Sequence, residues 1–280
     1  MNQILVIGTA SLDILHLNLL QPPQTVYTVG GAGLYTALAA TKAGTRATTR
    51  VTLFAPKPIH MPPALQPAAK LIEWIGPPCE TSELPRLEIV HYGNGKAELK
   101  GASWGAELKM TPTDLPEDLS GYTFVHIAAL SSAQRQLEFL QACRQRGAAQ
   151  ISVGTYARLI HNEADTVRRL WLTADLFFMN ENECRGLFRS IEAAHESKAH
   201  KNAALFVTLG EQGALVLHQQ KRTAIHAQVA SELDPTGAGD TFCGATLAAL
   251  AQSREIVDAA CIGAQWAAQT VASPGPEALL

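Results

Sequence analysis

Asp234-Pro235-Thr236-Gly237-Ala238-Gly239-Asp240, followed by the apolar run TFCGATLAAL, is the stretch whose reading decides the fold. A glycine-rich turn that opens a helix exposes backbone N–H groups without intrahelical acceptors, at the positive end of the helix dipole. Such a turn holds an anion, and phosphate is the usual one. Glycine lets the backbone approach closely and adopt conformations that a Cβ forbids. An aspartate at the end of the turn sits within reach of whatever receives the phosphate. An isolated glycine pair would do no more than tighten a turn, with the aspartate as a helix cap.

Outward from this turn, short apolar strands alternate with helical segments. Residues 4–8 (ILVIG) read as a buried strand, and 33–43 as a helix stopped by Gly44. A helix is expected over 134–146, a strand over 149–153, a helix over 163–172 and a strand over 175–179 (DLFFM). A polar helix over 191–202 and a strand over 204–209 (ALFVTL) follow. Two helices close the chain, roughly 238–251 and 255–271. In the second, Val257, Cys261, Ala264, Ala268 and Val271 recur at helical spacing, which predicts a buried stripe. The alternation predicts an α/β fold with a mostly parallel sheet and helices on both faces.

Two stretches break the pattern. Residues 13–29 are mostly apolar with a Pro22-Pro23 interruption, and 86–100 read as a hairpin turning around Asn94-Gly95. Both are expected as strands of an accessory lid, spanning about 13–29 and 86–103 of a single 1–280 domain.

Seven consecutive positions from Asp234 to Asp240 resemble the signature Asp-Thr-x-Gly-Ala-Gly-Asp of ribokinase-like (PfkB-type) carbohydrate kinases, with only Pro235 departing from it. The resemblance extends over most of the chain. Asp13 follows Gly8 by five residues, the spacing of the family's substrate-binding aspartate. Gly30-Gly31 resembles its first signature, Asn180 and Glu183 stand as its Asn-x-x-Glu, and Thr208 to Gly213 (TLGEQG) looks like its nucleotide loop. Read singly, Asp13 is a strand-end carboxylate, Asn180 and Glu183 a cap with a first-turn acid, and Thr208–Gly213 a strand–turn–strand connection. Their shared order selects the family reading.

The resemblance implies a ribokinase-like three-layer sandwich with a small β-strand lid. It also implies transfer of the γ-phosphate of ATP to a hydroxyl of a sugar, nucleoside or inositol, with Mg2+. Asp240 would be the general base, and the amides of Gly237, Ala238 and Gly239 would stabilise the transferred phosphate. Asp13, Gly30, Gly31 and Tyr35 would contact the acceptor, and Thr208, Gly210, Gly213 and Thr236 the nucleotide. Asn180 and Glu183 would hold hydrated magnesium. The lid is a candidate surface for a homodimer. A catalytically weak sugar- or nucleotide-binding regulatory relative of the same fold is the alternative, against which the intact Gly-Ala-Gly-Asp argues.

The substrate wall departs from the family. The polar cluster that holds ribose in ribokinases is replaced by Ser11, Ala32, Tyr35 and Ser131, which predicts that ribose is a poor substrate. Residues 53–64 also lack the usual Gly-x-Asp-x-x-Gly.

Composition narrows the remaining classes. Apolar residues make up 47% of the 280 and charged residues 17%, which is globular. A net charge of −3 gives no electrostatic reason to expect nucleic acid or an anionic membrane. The five cysteines are scattered without a CxxC, which argues for reduced thiols in a cytoplasmic protein. No signal peptide or membrane-spanning run is read. Gly101-Ala-Ser-Trp-Gly105 fits GxSxG, but a proline-interrupted segment follows instead of the required helix, so it is expected to be a loop leaving the lid.

Overall fold

A computed structural model describes residues 1–45, 48–93, 96–197 and 202–280. The strands are β1 (Asn2–Ile7), β2 (Ser11–Leu17), β3 (Gln24–Gly30), β4 (Thr49–Phe54), β5 (Lys57–Pro58), β6 (Glu73–Ile75), β7 (Pro78–Cys79), β8 (Arg86–Gly93), β9 (Lys96–Ser103) and β10 (Phe124–Ile127). They continue with β11 (Ile151–Gly154), β12 (Leu176–Asn180), β13 (Ala204–Thr208), β14 (Ala214–His218) and β15 (Lys221–Ile225). The helices are α1 (Ala32–Gly44), α2 (Gln66–Ala69), α3 (Ala133–Gln145), α4 (Ala157–Thr173), α5 (Glu181–Phe188), α6 (Ile191–Glu196), α7 (Ala238–Ala251) and α8 (Ile256–Val271).

Nine strands form the central sheet in the order β15-β14-β13-β12-β11-β10-β1-β4-β6, and only the pairings of β14 are antiparallel. Successive side chains of a strand point to opposite faces, so a strand covered on both sides must be apolar throughout. The strand β1 shows this: Ile4 and Val6 pack under α1 and α7, while Leu5 and Ile7 pack with residues of α3 and α4. The same split runs through Leu176, Phe178 and Phe206 on one face and Phe177, Leu205 and Val207 on the other. Helices therefore cover both faces of a mostly parallel sheet, as expected.

The lid is a second sheet of order β3-β2-β8-β9. Alternation along β2 buries Ser11, Asp13, Leu15 and Leu17 on its inner face. Leu15, Leu17 and Ile89 make a small apolar cluster of their own. The lid strands begin slightly earlier than expected, at Ser11 instead of residue 13. The turn expected at Asn94-Gly95 lies outside the described residues, as does the end of the helix expected over 191–202, whose described part is α6. Gly101 to Ser103 finish β9 and a 3₁₀ turn follows, so no nucleophile elbow forms.

One packing expectation is corrected. The inner face of α8 is Ala259, Ala260, Gly263 and Thr270, whereas Cys261 is exposed and Val257, Ala264, Ala268 and Val271 are only half-buried. Close approach decides this face. A Cβ at Gly263 would stand 2.3 Å from Thr246 Oγ1 and 2.7 Å from the Phe242 carbonyl oxygen, so α8 lies against α7 through its smallest residues. All five cysteines are free thiols, and no helix among the described residues is long and apolar enough to cross a membrane.

Candidate active site

The helix α7 is seated by aromatic packing. Phe178 and Phe206, on adjacent strands, stack with centroids 4.5 Å apart, and Phe242 meets both edge-on at 6.2 Å. Such contacts add about 0.5–1.5 kcal/mol each beyond area burial. Because Phe242 follows Asp240 by two residues, this triad fixes where the start of α7 points.

The turn before α7 is held by Asp234, whose Oδ1 accepts the Thr236 N–H at 2.9 Å and whose Oδ2 accepts the Gly275 N–H at 2.7 Å. Gly237 caps the helix in the left-handed region at φ 74°. The first intrahelical bond runs from Thr241 N to Gly237 O, so the amides of Gly239 and Asp240 have no acceptor in the helix. Ala238 differs from expectation: its N–H donates to Pro235 O at 3.3 Å, closing the turn on itself. The first-turn amides left without an acceptor are accordingly those of Gly239 and Asp240. Gly239 is exposed, and a Cβ there would meet nothing within 4 Å, so the face of the turn is open.

Beside this turn lies a cleft of about 200 Å³, lined by Asp240, Glu183, Asn180, Thr208, Thr155, Tyr156, His126 and Cys243 among others. Burial, and then the charge of Glu183, push the half-buried Asp240 carboxyl up to about 7. Burial likewise pushes Glu183 up to about 7. Asn180 and Glu183 form a reciprocal cap of α5. Glu183 N donates to Asn180 Oδ1 at 2.9 Å, while Glu183 accepts the Asn180 N–H at 2.9 Å and its Nδ2 at 2.7 Å. The helix-cap reading of these residues and their place in the cleft therefore hold together. In-register pairing of Asn180 with Thr208 brings the ends of β12 and β13 to the same wall. Gly210 and Gly213 shape the β13–β14 connection, and of that loop Thr208 alone lines the cleft.

Asp13 occupies the lid side. Its Oδ1 accepts the Leu87 N–H at 3.2 Å, and burial pushes its carboxyl up to about 6. Gly30 lies opposite Ser11 in the β2–β3 ladder, and a Cβ on it would stand 2.0 Å from Asp13 Oδ2. The glycine is what leaves room for the carboxylate. Gly31 caps α1.

Tyr35 is corrected. Expected to offer a ring face to the acceptor, it is 1% exposed, and its ring lies directly beneath Gly237. Burial raises its phenol well above the ordinary value, with Asp234, Asp13 and Asp240 adding to the shift. The ring therefore fills the space where Asp13, the turn and Asp240 converge, and it supports the turn from below.

Eight of the cleft residues lie outside the sequence expectations, among them His126, Thr155, Tyr156 and Cys243. Thr155 Oγ1 and Tyr156 Oη are buried with no hydrogen-bond partner among the described residues. Both follow the carboxyl end of β11, where open parallel sheets bind ligands, and that position was the available signal. His126 bonds Ser152 across the β10–β11 pair at 2.7 Å, and burial pushes its ring down to about 3.

Known proteins resemble this chain in sequence and fold over most of its length. A cytidine kinase of Thermococcus kodakarensis is 23% identical over 278 residues, covering 97% of this chain and 96% of that protein. The nucleoside kinase of Methanocaldococcus jannaschii superposes with a TM-score of 0.77 at 22% identity, over 98% of this chain and 93% of that one. Ribokinase of Cryptococcus neoformans in complex with ADP superposes with a TM-score of 0.80 at 20% identity, over 98% and 95%. The profile described as pfkB family carbohydrate kinase matches residues 83–280, a span that takes in Glu183, Thr208 and the whole 234–240 turn. The chain belongs to the pfkB family of carbohydrate kinases and is a phosphotransferase acting on a small substrate.

Proposed function

We propose that the chain transfers the γ-phosphate of ATP to a hydroxyl of a nucleoside, with Asp240 as general base. The observation that carries this reading is the place of Asp240, which lines the cleft with Glu183, Asn180 and Thr208 at the open start of α7, just after the left-handed Gly237. In the proposed step, Asp240 takes the acceptor O–H proton as that oxygen attacks the γ-phosphorus, and the bond to the departing ADP breaks. Amides at the start of α7 stabilise the charge on the transferred group. Thr236 and Thr208 contact the nucleotide phosphates, with Gly210 and Gly213 shaping the loop beside them. Asp13 orients the acceptor from the lid, which also excludes water.

The residues fit magnesium in one manner. Both Glu183 oxygens serve the α5 cap, and no cluster of three or more His, Cys, Asp or Glu that could hold a metal exists among the described residues. Glu183 and Asn180 would therefore reach it through its water shell, as suits an ion that dehydrates reluctantly. Held there, magnesium would neutralise the charge of the nucleotide phosphates.

A nucleoside is favoured over ribose by the end-to-end similarity to a cytidine kinase and by the substitutions at Ser11, Ala32 and Ser131. A site that selects a polyol does so by pairing its own buried polar groups, and here the groups that would pair ribose are missing. The test is kcat/KM with ATP for cytidine, ribose and myo-inositol, read as ADP release. Cytidine is expected to lead, and ribose emerging as the best of the three would overturn the acceptor assignment. Asp13→Ala should raise the acceptor KM ~10-fold or more, as loss of a charged hydrogen bond does, and leave ADP affinity unchanged. A collapse of ADP affinity with acceptor KM intact would place Asp13 on the wrong side of the site.

A further inference from the structure

We infer that His91 is a positioning residue that fastens the lid to the anion-binding turn, so that the turn holds its productive shape only while the lid strand β8 is seated on it. The inference rests on the proposed reading of that turn and of Asp13. It adds a link between them that neither motif contains.

His91 lies on β8, far in sequence from the turn, and is 1% exposed. Its Nε2 stands 3.1 Å from Asp234 Oδ1 and 3.0 Å from Thr236 Oγ1. Asp234 is equally buried, and its carboxylate gathers three separate parts of the chain: the lid through His91, the turn through Thr236 N, and the C-terminal segment through Gly275 N. Burial acts to raise the Asp234 carboxyl, but the bonds from His91, Thr236 and Gly275 outweigh it and hold the group below its ordinary value. It is therefore an ionised carboxylate away from water. Such a group depends on each of its donors, because losing one leaves a buried charge incompletely paired.

The backbone around His91 is built to aim the ring. The pairing of β8 with β9 slips by one residue between His91 and Gly93, the kind of irregularity that re-aims a side chain. His91 O also accepts the Asn18 N–H at 2.9 Å, which ties the strand to the end of β2. The ring's Nδ1 is buried without a partner among the described residues, so the imidazole's polar contacts are spent on the turn.

The position of these contacts gives them a catalytic consequence. Thr236 directly precedes Gly237, whose conformation sets the amides at the start of α7. Four residues before His91 on the same strand, Leu87 N donates to Asp13. One strand thus carries the partner of the acceptor-side carboxylate and the partner of the phosphate-side turn. An ångström of misplacement in such a frame costs on the order of 10²-fold in rate.

The test compares His91→Leu, His91→Asn and His91→Gln. The Gln amide nitrogen reaches the place of Nε2, whereas the Asn amide stops short of it. With ATP and cytidine, kcat is expected to fall at least ~10-fold in the Leu and Asn variants, with both KM values within about threefold. The Gln variant should recover to within about threefold of the unsubstituted chain. Hydrogen exchange of the 234–241 amides should accelerate in the Leu and Asn variants while β10 to β12 stay protected. Unchanged kcat in these two variants, or a Gln variant as impaired as Leu, would overturn the inference. So would exchange that rises over the whole sheet, which marks a merely structural role. Should cytidine, ribose and myo-inositol all fail as acceptors of the unsubstituted chain, the exchange arm decides alone: unchanged protection of 234–241 refutes the link, and selective loss supports it.

Discussion

Asp240→Asn is expected to keep the fold and ADP binding while lowering kcat ~10²–10⁴-fold, the usual contribution of a positioned general base. The amide has nearly the shape of the carboxylate, so the seat provided by Phe178, Phe206 and Phe242 is undisturbed. Near-normal turnover would remove Asp240 from the base role. The pH dependence carries the same assignment. Asp240 and Glu183 are both pushed up to about 7 and face one cleft, so their protons come off as a coupled pair. A base works deprotonated, so activity should rise with pH through about 7 and fall away below it. Stability moves in the opposite direction. A folded-state pKa raised from 3.8 to about 7 means that the fold prefers the protonated acid. That contribution is present in full below the unfolded value and is lost as pH rises through about 7. At pH 8 the ligand-free Asn variant should therefore melt no lower than the unsubstituted chain. A clearly lower Tm at that pH would contradict the electrostatic account of the site.

Gly237→Ala should be nearly as damaging, for a steric reason. At φ 74° an L side chain is strained, and its Cβ would lie 2.4 Å from the Tyr35 ring. Tyr35 is packed within the core and has nowhere to retreat. The turn would have to lift, carrying the first-turn amides with it, and loss of one such donor costs ~10²–10³-fold in kcat. Thermal stability should fall together with activity. Gly239→Ala supplies the contrast. A Cβ there meets no protein atom within 4 Å, so Tm should hold, while the methyl group enters the space left for the anion and activity drops. Equal melting temperatures for the two alanine variants would mean that the Tyr35 contact does not constrain the turn.

Much of this arrangement was legible in the linear chain because it is local. The turn 234–240, the cap formed by Asn180 and Glu183, and the glycines at 30 and 31 are short-range devices whose residue types state their geometry. The parallel sheet was legible for a similar reason. Strands buried on both faces must be apolar throughout, and the runs 4–7, 176–179 and 204–207 are. Strands such as Phe124–Ile127 and Lys221–Ile225 escaped notice because a buried histidine and an exposed edge weaken that signal.

What the tertiary structure decided is which long-range neighbours share a space. Its place at a position where ribokinases hold the sugar made Tyr35 an expected acceptor contact, and only the approach of α1 to the turn before α7 places its ring under Gly237. The face of α8 was set by closeness to α7 rather than by hydrophobicity, so alanine, glycine and threonine are buried there and Cys261 is not. His91 carries no motif at all. Its partners lie over 140 residues away at Asp234 and Thr236, and no spacing along the chain encodes a contact that exists only once the lid sheet has closed on the turn.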